Sequence, residues 1–147
     1  MLSLQVISDR LEIQQLAVDY CNAIDSRDFA ALDRVFSPDA YIDYRAMGGI
    51  DGAYPQVRAW LGEALATFPA YQHMIGNHAI ELSGDEASGR ILCFNPMAVD
   101  LADGSRRTFF LGLWYHDRYR RTEQGWRIAR RSEEKSWTFN VPDGLPV

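Results

Sequence analysis

The segment "YQHMIGNHAIEL" at 71–82 carries two of the three histidines in the chain, His73 and His78. An imidazole changes charge near neutral pH, so a histidine in a pocket can take a proton and later return it. If the segment runs as a strand, side chains alternate between faces, and an odd separation puts the two histidines on opposite sides. His73 then shares a face with Ile75 and Asn77, and His78 with Ile80 and Leu82. Each histidine is therefore a lone working base or a polar residue held by a structural hydrogen bond. Asp25 presents the same alternative. It follows Ile24 and precedes Ser26, a place where an aspartate ordinarily holds the backbone amides of a turn. Its other use is to fix the tautomer of a histidine across a pocket and to stabilise the imidazolium.

Other chemistries find no support in the residue pattern. No His-x-His or His-Glu-x-x-His spacing occurs, so no first-row metal site is expected. No Gly-x-Ser-x-Gly elbow occurs, and both cysteines, Cys21 and Cys93, sit inside apolar runs where thiols are buried and inert. The loop "MGGIDG" lacks the Lys-Ser/Thr of a phosphate loop, and no other cofactor motif is present.

The elements that would position these residues are legible as patterns. Ser8 is placed to cap a first helix, with Asp9 and Glu12 near its positive end. Ile13, Leu16, Ala17, Tyr20, Cys21 and Ile24 then recur at three- and four-residue steps and form one apolar stripe. Tyr20 lies mid-stripe, so its hydroxyl points inward. "FAALDRVF" makes a second short helix, "AYIDYR" a strand, and a third helix runs from Pro55 to Pro69, burying Val57, Trp60, Leu61, Ala64, Leu65 and Phe68. After that come long hairpins turning at "SGDEASG", "ADGS" and "TEQG". The run "TFFLGLWY" is apolar at consecutive positions. Both its faces need cover, and helices on a four- or five-stranded sheet cover only one. A second subunit is the simplest cover for the other, giving a dimer or trimer.

With 147 residues and 47% hydrophobic content, the chain fits a single globular domain spanning 1–147. The formal net charge of -5 argues against a nucleic-acid partner. The arginine-rich "DRYRRTEQGWRIARR" reads as a solvated hairpin neutralised by Asp117, Glu123, Glu133 and Glu134. No signal peptide or membrane span is apparent, so no membrane partner and a cytoplasmic location are expected.

Three stretches carry a resemblance: "DSRDFAALDRVFSPDAYIDYR" at 25–45, "QHMIGN" at 72–77 and "GWRIARRSEEKSW" at 125–137. They resemble the nuclear-transport-factor-2-like or SnoaL-like superfamily, in the branch of scytalone dehydratase, bile acid 7α-dehydratase, hexachlorocyclohexane dehydrochlorinase and small polyketide cyclases. The resemblance spans nearly the whole chain. It implies an α+β cone, in which a curved, largely antiparallel sheet holds three helices on its concave face and encloses a pocket. It also implies that Asp25 and His73 form a catalytic dyad, that Tyr44 and Tyr20 are pocket tyrosines, and that His78 is structural. The scytalone enzyme's second tyrosine is Ile24 here. Met97 stands at its second histidine, and Leu113 and Tyr115 replace its pocket serine and asparagine. A pocket lined by Trp60, Met97, Leu113 and Tyr115 implies a substrate more apolar than scytalone.

Together these readings predict a cofactor-independent, dehydratase-like lyase or an isomerase acting on a small, mostly apolar hydroxy or keto compound. Two alternatives use the same cone: a non-catalytic ligand-binding or partner-docking domain, and a hydrolase or polyketide cyclase built on the dyad.

Overall fold

The computed structural model describes residues 1–147. Helix α1 spans Leu4–Asp25 and is capped by Ser3, whose Oγ accepts the Val6 N–H at 3.2 Å. The cap expected at Ser8 is therefore displaced by more than a turn. Ser8 reaches Glu12 instead, at 3.5 Å, and the predicted stripe from Ile13 to Ile24 is buried as a unit. Asp9 also moves from a helix end to a helix interior. It is buried against the sheet, where Arg121 grips both carboxylate oxygens at 2.7 and 2.9 Å and Trp126 Nε1 donates to it at 3.0 Å.

A 3-10 helix over Phe29–Arg34 follows. Strand β1 covers Phe36–Asp43, beginning earlier than "AYIDYR" suggested and stopping just short of Tyr44. Strand β2 (Asp51–Ala53) leads into helix α2 (Tyr54–Leu65), with Pro55 in its first turn. α2 ends before Phe68, so that residue reaches the interior from the loop. Strands β3 (Ala70–Tyr71), β4 (Met74–Ser83), β5 (Glu86–Asp100), β6 (Arg106–Thr122) and β7 (Gly125–Phe139) complete the chain, with hairpins at the three predicted turns.

The sheet has seven strands rather than four or five. Its order is β2-β1-β7-β6-β5-β3, and β4 pairs along the same edge of β5. All pairs are antiparallel except β1 with β7, which run parallel. The strands curl around the helices into the expected cone. Ile91, Cys93, Phe109, Leu111, Leu113 and Tyr115 form its inner rows. The outer row of β6 is partly covered by the chain itself. Phe110 packs on Phe94 and Phe139, Trp137 closes over Phe94, and the Arg90 guanidinium lies 3.6 Å from the Trp114 ring centre.

One irregularity changes which way the histidines point. Ile75 pairs with Cys93 and His78 with Ile91, so Gly76 and Asn77 together oppose the single residue Leu92. This bulge adds a residue, and an added residue reverses the alternation beyond it. His73 and His78 thus share the concave side, contrary to the strict period-2 expectation. The β6–β7 hairpin departs from expectation in a similar way. Glu123 and Glu134 are exposed, but Asp117 and Arg131 are buried inside the cone. There Asp117 receives Arg131 through Nε and Nη2, each at 2.7 Å.

Candidate functional site

The end of α1 and the entry to β4 are tied together by local chemistry. Ser26 closes the helix by donating to the Asn22 carbonyl at 2.7 Å. Arg27, in a left-handed conformation, donates to the carbonyls of Leu65 and Phe68 at 2.9 and 2.7 Å and lies over the Tyr71 ring. Tyr71 in turn donates to the Ile24 carbonyl at 2.9 Å. From the β5 side, the buried Asn95 amide donates to the Gln72 carbonyl at 2.9 Å. These contacts hold the segment before β4 against the helix end.

They bring His73 onto Asp25. One carboxylate oxygen accepts the His73 backbone N–H at 2.9 Å, and the other meets Nδ1 at 2.7 Å. A carboxylate only accepts, so Nδ1 carries a proton, and in the neutral ring the lone pair is then on Nε2. The His73 side chain is 8% exposed and borders a cavity of about 320 Å³. That volume lies at the lower end of the range for small-molecule sites, about 300 to 1,000 Å³.

Of the 23 residues around the cavity, 16 are hydrophobic, so most of what binds there must be apolar. Trp60, Met97, Leu113 and Tyr115 all line it, as do Tyr20 and Tyr44. The Tyr20 and Tyr44 hydroxyls hydrogen-bond each other at 2.8 Å. Burial pushes both phenols above their ordinary range, so they act as neutral donors. Tyr20 stands edge-on to His73 at 6.3 Å and to Tyr115 at 5.6 Å. It therefore connects the imidazole to the opposite wall.

His78 lies on the same concave side but outside the cavity lining. Its Nε2 meets the Tyr119 hydroxyl at 3.1 Å, Tyr119 donates to Asp117, and burial lowers the imidazole pKa. Its ring nitrogen is engaged inside the core and is not presented to the cavity. No group of three or more His, Cys, Asp or Glu side chains gathers to hold a metal ion. No helix is long and apolar enough to cross a membrane.

Among the lining residues that the sequence does not single out are the C-terminal Leu145, Pro146 and Val147 and two polar side chains, Asn95 and Glu133. Asn95 sits within the apolar run "ILCFNPMAVD", where a lone amide is a signal that a buried carbonyl needs a partner. Glu133 was read with the solvated hairpin, yet it faces the cavity. A second bulge, where β7 slips between Ile128 and Arg130 against β6, hides its side from simple alternation.

Residues 5–132 match the sequence profile of the SnoaL-like domain. The uncharacterized protein Rv2910c of Mycobacterium tuberculosis is 58% identical over 135 residues, covering 92% of this chain and 90% of that protein. Among solved structures, a protein from Novosphingobium aromaticivorans, whose name proposes an aromatic ring hydroxylase, is 30% identical. It superposes with a TM-score of 0.72 and 92% coverage of both chains. A hexachlorocyclohexane dehydrochlorinase, LinA-type3 from Novosphingobium barchaimii, shares the fold with a TM-score of 0.80 at 18% identity, over 95% of this chain and 94% of that one. From the profile match and the mycobacterial relative it follows that the chain belongs to the SnoaL-like family.

Proposed function

We propose that the protein is a cofactor-independent lyase or isomerase for a small, mostly apolar hydroxy or keto compound, with His73 as its base. The observation that carries this reading is the double hold of Asp25 on His73, through Nδ1 and the backbone amide, beside an apolar cavity. His73 Nε2 removes a proton from carbon next to a carbonyl or another electron-poor centre. Asp25 stabilises the imidazolium that forms. Tyr20 or Tyr44 breaks their mutual hydrogen bond and donates to the oxygen that gains charge. If the neighbouring carbon bears a hydroxyl, the C–O bond breaks as the new C=C bond forms, and the His73 imidazolium returns its proton to the leaving oxygen to give an alkene and water; return of the proton to a different carbon gives an isomer. The dehydrochlorinase with the same fold performs an elimination, as its name states, which supports the class. A positioned base contributes about 10² to 10⁴ in rate.

The protein in this reading assembles as a homo-oligomer, with a second copy on the outer sheet face. Met74, Trp137 and Phe139 are exposed there at 62%, 47% and 59%.

The test combines spectroscopy and turnover. Imidazole ¹⁵N–¹H spectra of the native protein should show His73 in the Nδ1–H tautomer, and Asp25→Asn should lose that signature. A panel of cyclic hydroxy-ketones and polycyclic alcohols should then yield a compound that is dehydrated or isomerised. His73→Ala should slow that reaction by at least about 10². An unchanged tautomer in Asp25→Asn, or undiminished turnover in His73→Ala, would remove the base and favour a ligand-binding domain.

A further inference from the structure

Glu133 is the only acidic side chain in the cavity lining. β7 presents it two residues beyond Arg131 on the same concave side. Tyr115 is its cross-strand partner, and Asp117 is the partner of Arg131. Both β7 residues keep one buried atom without a partner, Nη1 of Arg131 and Oε2 of Glu133. Arg131 spends Nε and Nη2 on Asp117, and its guanidinium carbon lies 4.3 and 4.1 Å from the Tyr20 and Tyr115 ring centres. Its charge is matched by Asp117. Glu133 has no such partner, and its Oε2 is shut off from solvent without any hydrogen bond.

Burial holds the Glu133 carboxyl well above its ordinary range. Arg131 pulls against that shift, and Asp43 at the end of β1 reinforces it. The other titratable groups around it, Tyr20, Tyr44 and Tyr115, are buried neutral phenols. When neutral, that carboxyl carries an O–H, and an O–H aimed at an apolar cavity with nothing to receive it is costly. Such groups persist in folded proteins where something else completes them.

We propose that Glu133 is the polar anchor of the cavity, donating its carboxyl O–H to the carbonyl or hydroxyl oxygen of an otherwise apolar ring compound. This deepens the lyase or isomerase reading and rests on it for the use of this cavity. Strands β6 and β5 separate Glu133 from the edge that carries His73, and Tyr20 stands edge-on to both His73 and Tyr115. A ligand anchored at Glu133 therefore spans Tyr20 and turns its ring carbons toward the imidazole. The ligand class follows: neutral one- or two-ring compounds with an oxygen acceptor at one end. Carboxylates are disfavoured, because burying their charge in a mostly apolar cavity costs more than one hydrogen bond from Glu133 returns.

The experiment uses 1-tetralone and tetralin, which share their rings and differ at the ketone oxygen. Dissociation constants are measured for the native protein, Glu133→Gln and Glu133→Leu. The native protein should prefer tetralone by about tenfold, roughly the effect of one buried hydrogen bond. Glu133→Gln, whose amide still donates, should keep most of that preference, and Glu133→Leu should reduce it below twofold. Infrared difference spectra at pH 7 should show a protonated-carboxyl C=O band in the native protein and neither variant. That band should shift with tetralone and not with tetralin. If Glu133→Leu does not fold, the infrared band and the Gln variant decide. A preference kept in Glu133→Leu, a missing acid band, or failure of the native protein to bind either probe would overturn the proposal. The His73 tautomer spectrum reports on the base independently, so failure of one reading is distinguishable from failure of the other.

Discussion

Replacing Asp117 by asparagine should cost this protein more than almost any other single polar substitution. The Asp117 and Arg131 side chains are 0% and 1% exposed, and the carboxylate receives two guanidinium N–H groups at 2.7 Å and the Tyr119 hydroxyl at 3.1 Å. Asparagine keeps the shape and removes the counter-charge, leaving the guanidinium ionised inside the cone. Breaking a buried pair in this way costs about 3–5 kcal/mol, because the remaining ion is uncompensated. For a domain near 150 residues, each kcal/mol moves Tm by about 2–4 °C, so a fall on the order of 10 °C is expected. Urea unfolding followed by circular dichroism should show the midpoint falling at constant m. The double variant Asp117→Leu/Arg131→Met removes both charges and keeps an unbranched side chain against the Tyr20 and Tyr115 rings. It should recover most of the loss, since a buried pair replaced by apolar groups is often neutral or stabilising. A cost below about 1 kcal/mol for Asp117→Asn, or a double variant no more stable than the single one, would refute the uncompensated-charge argument.

Asp9 predicts a pH dependence. The Arg121 guanidinium holds its carboxyl well below the ordinary carboxylate range, with Trp126 and Gln5 assisting against burial. Its contribution is therefore fully present above the unfolded value, about 4, and is lost as pH falls through the native one. Asp9→Asn should flatten the acid limb of stability against pH, and equal slopes in the two proteins would refute this. For the outer face, Phe139→Lys places a charge among Phe110, Trp137 and Phe94 and should convert the proposed oligomer to single chains in light scattering. A native protein already monomeric at micromolar concentration would remove the second copy from the account.

The sequence is legible here wherever one element supplies its own signal. The stripe from Ile13 to Ile24, the proline opening α2 and the glycine-bearing turns between long strands all lie in the predicted places, because period, cap and turn chemistry are local. The proximity of Asp25 to His73 was available only through the family resemblance, since their contact joins positions 48 residues apart. The misreadings share a cause. Asp9 looked like a helix-end acid because its partner Arg121 lies 112 residues away. Glu133 and Asp117 looked solvated because their neighbours in sequence are charged, although their neighbours in space are tyrosines and Arg131. Bulges in β4 and β7 defeated the counting of faces: Gly76 inside the β4 run is the kind of residue that marks a bulge, whereas Ala129 in β7 carries no such signal.

The bulge at Gly76 and Asn77 also makes the side on which His73 points a two-valued setting. A strand has only two phases. Deleting one residue there would only remove the bulge, since Ile75 would still face Cys93 and the imidazole would stay inside the cone. Deleting both while β4 stays in register from His78 onward would move Ile75 opposite Leu92, a shift of about 3.3 Å, turn the imidazole outward and break its contact with Asp25. Two-codon deletions at this point are thus all-or-none events for the cavity, even though they replace no residue that lines it. Members of the family could gain or lose an inward imidazole without substituting a histidine, and an alignment that places a gap one column away would hide the change.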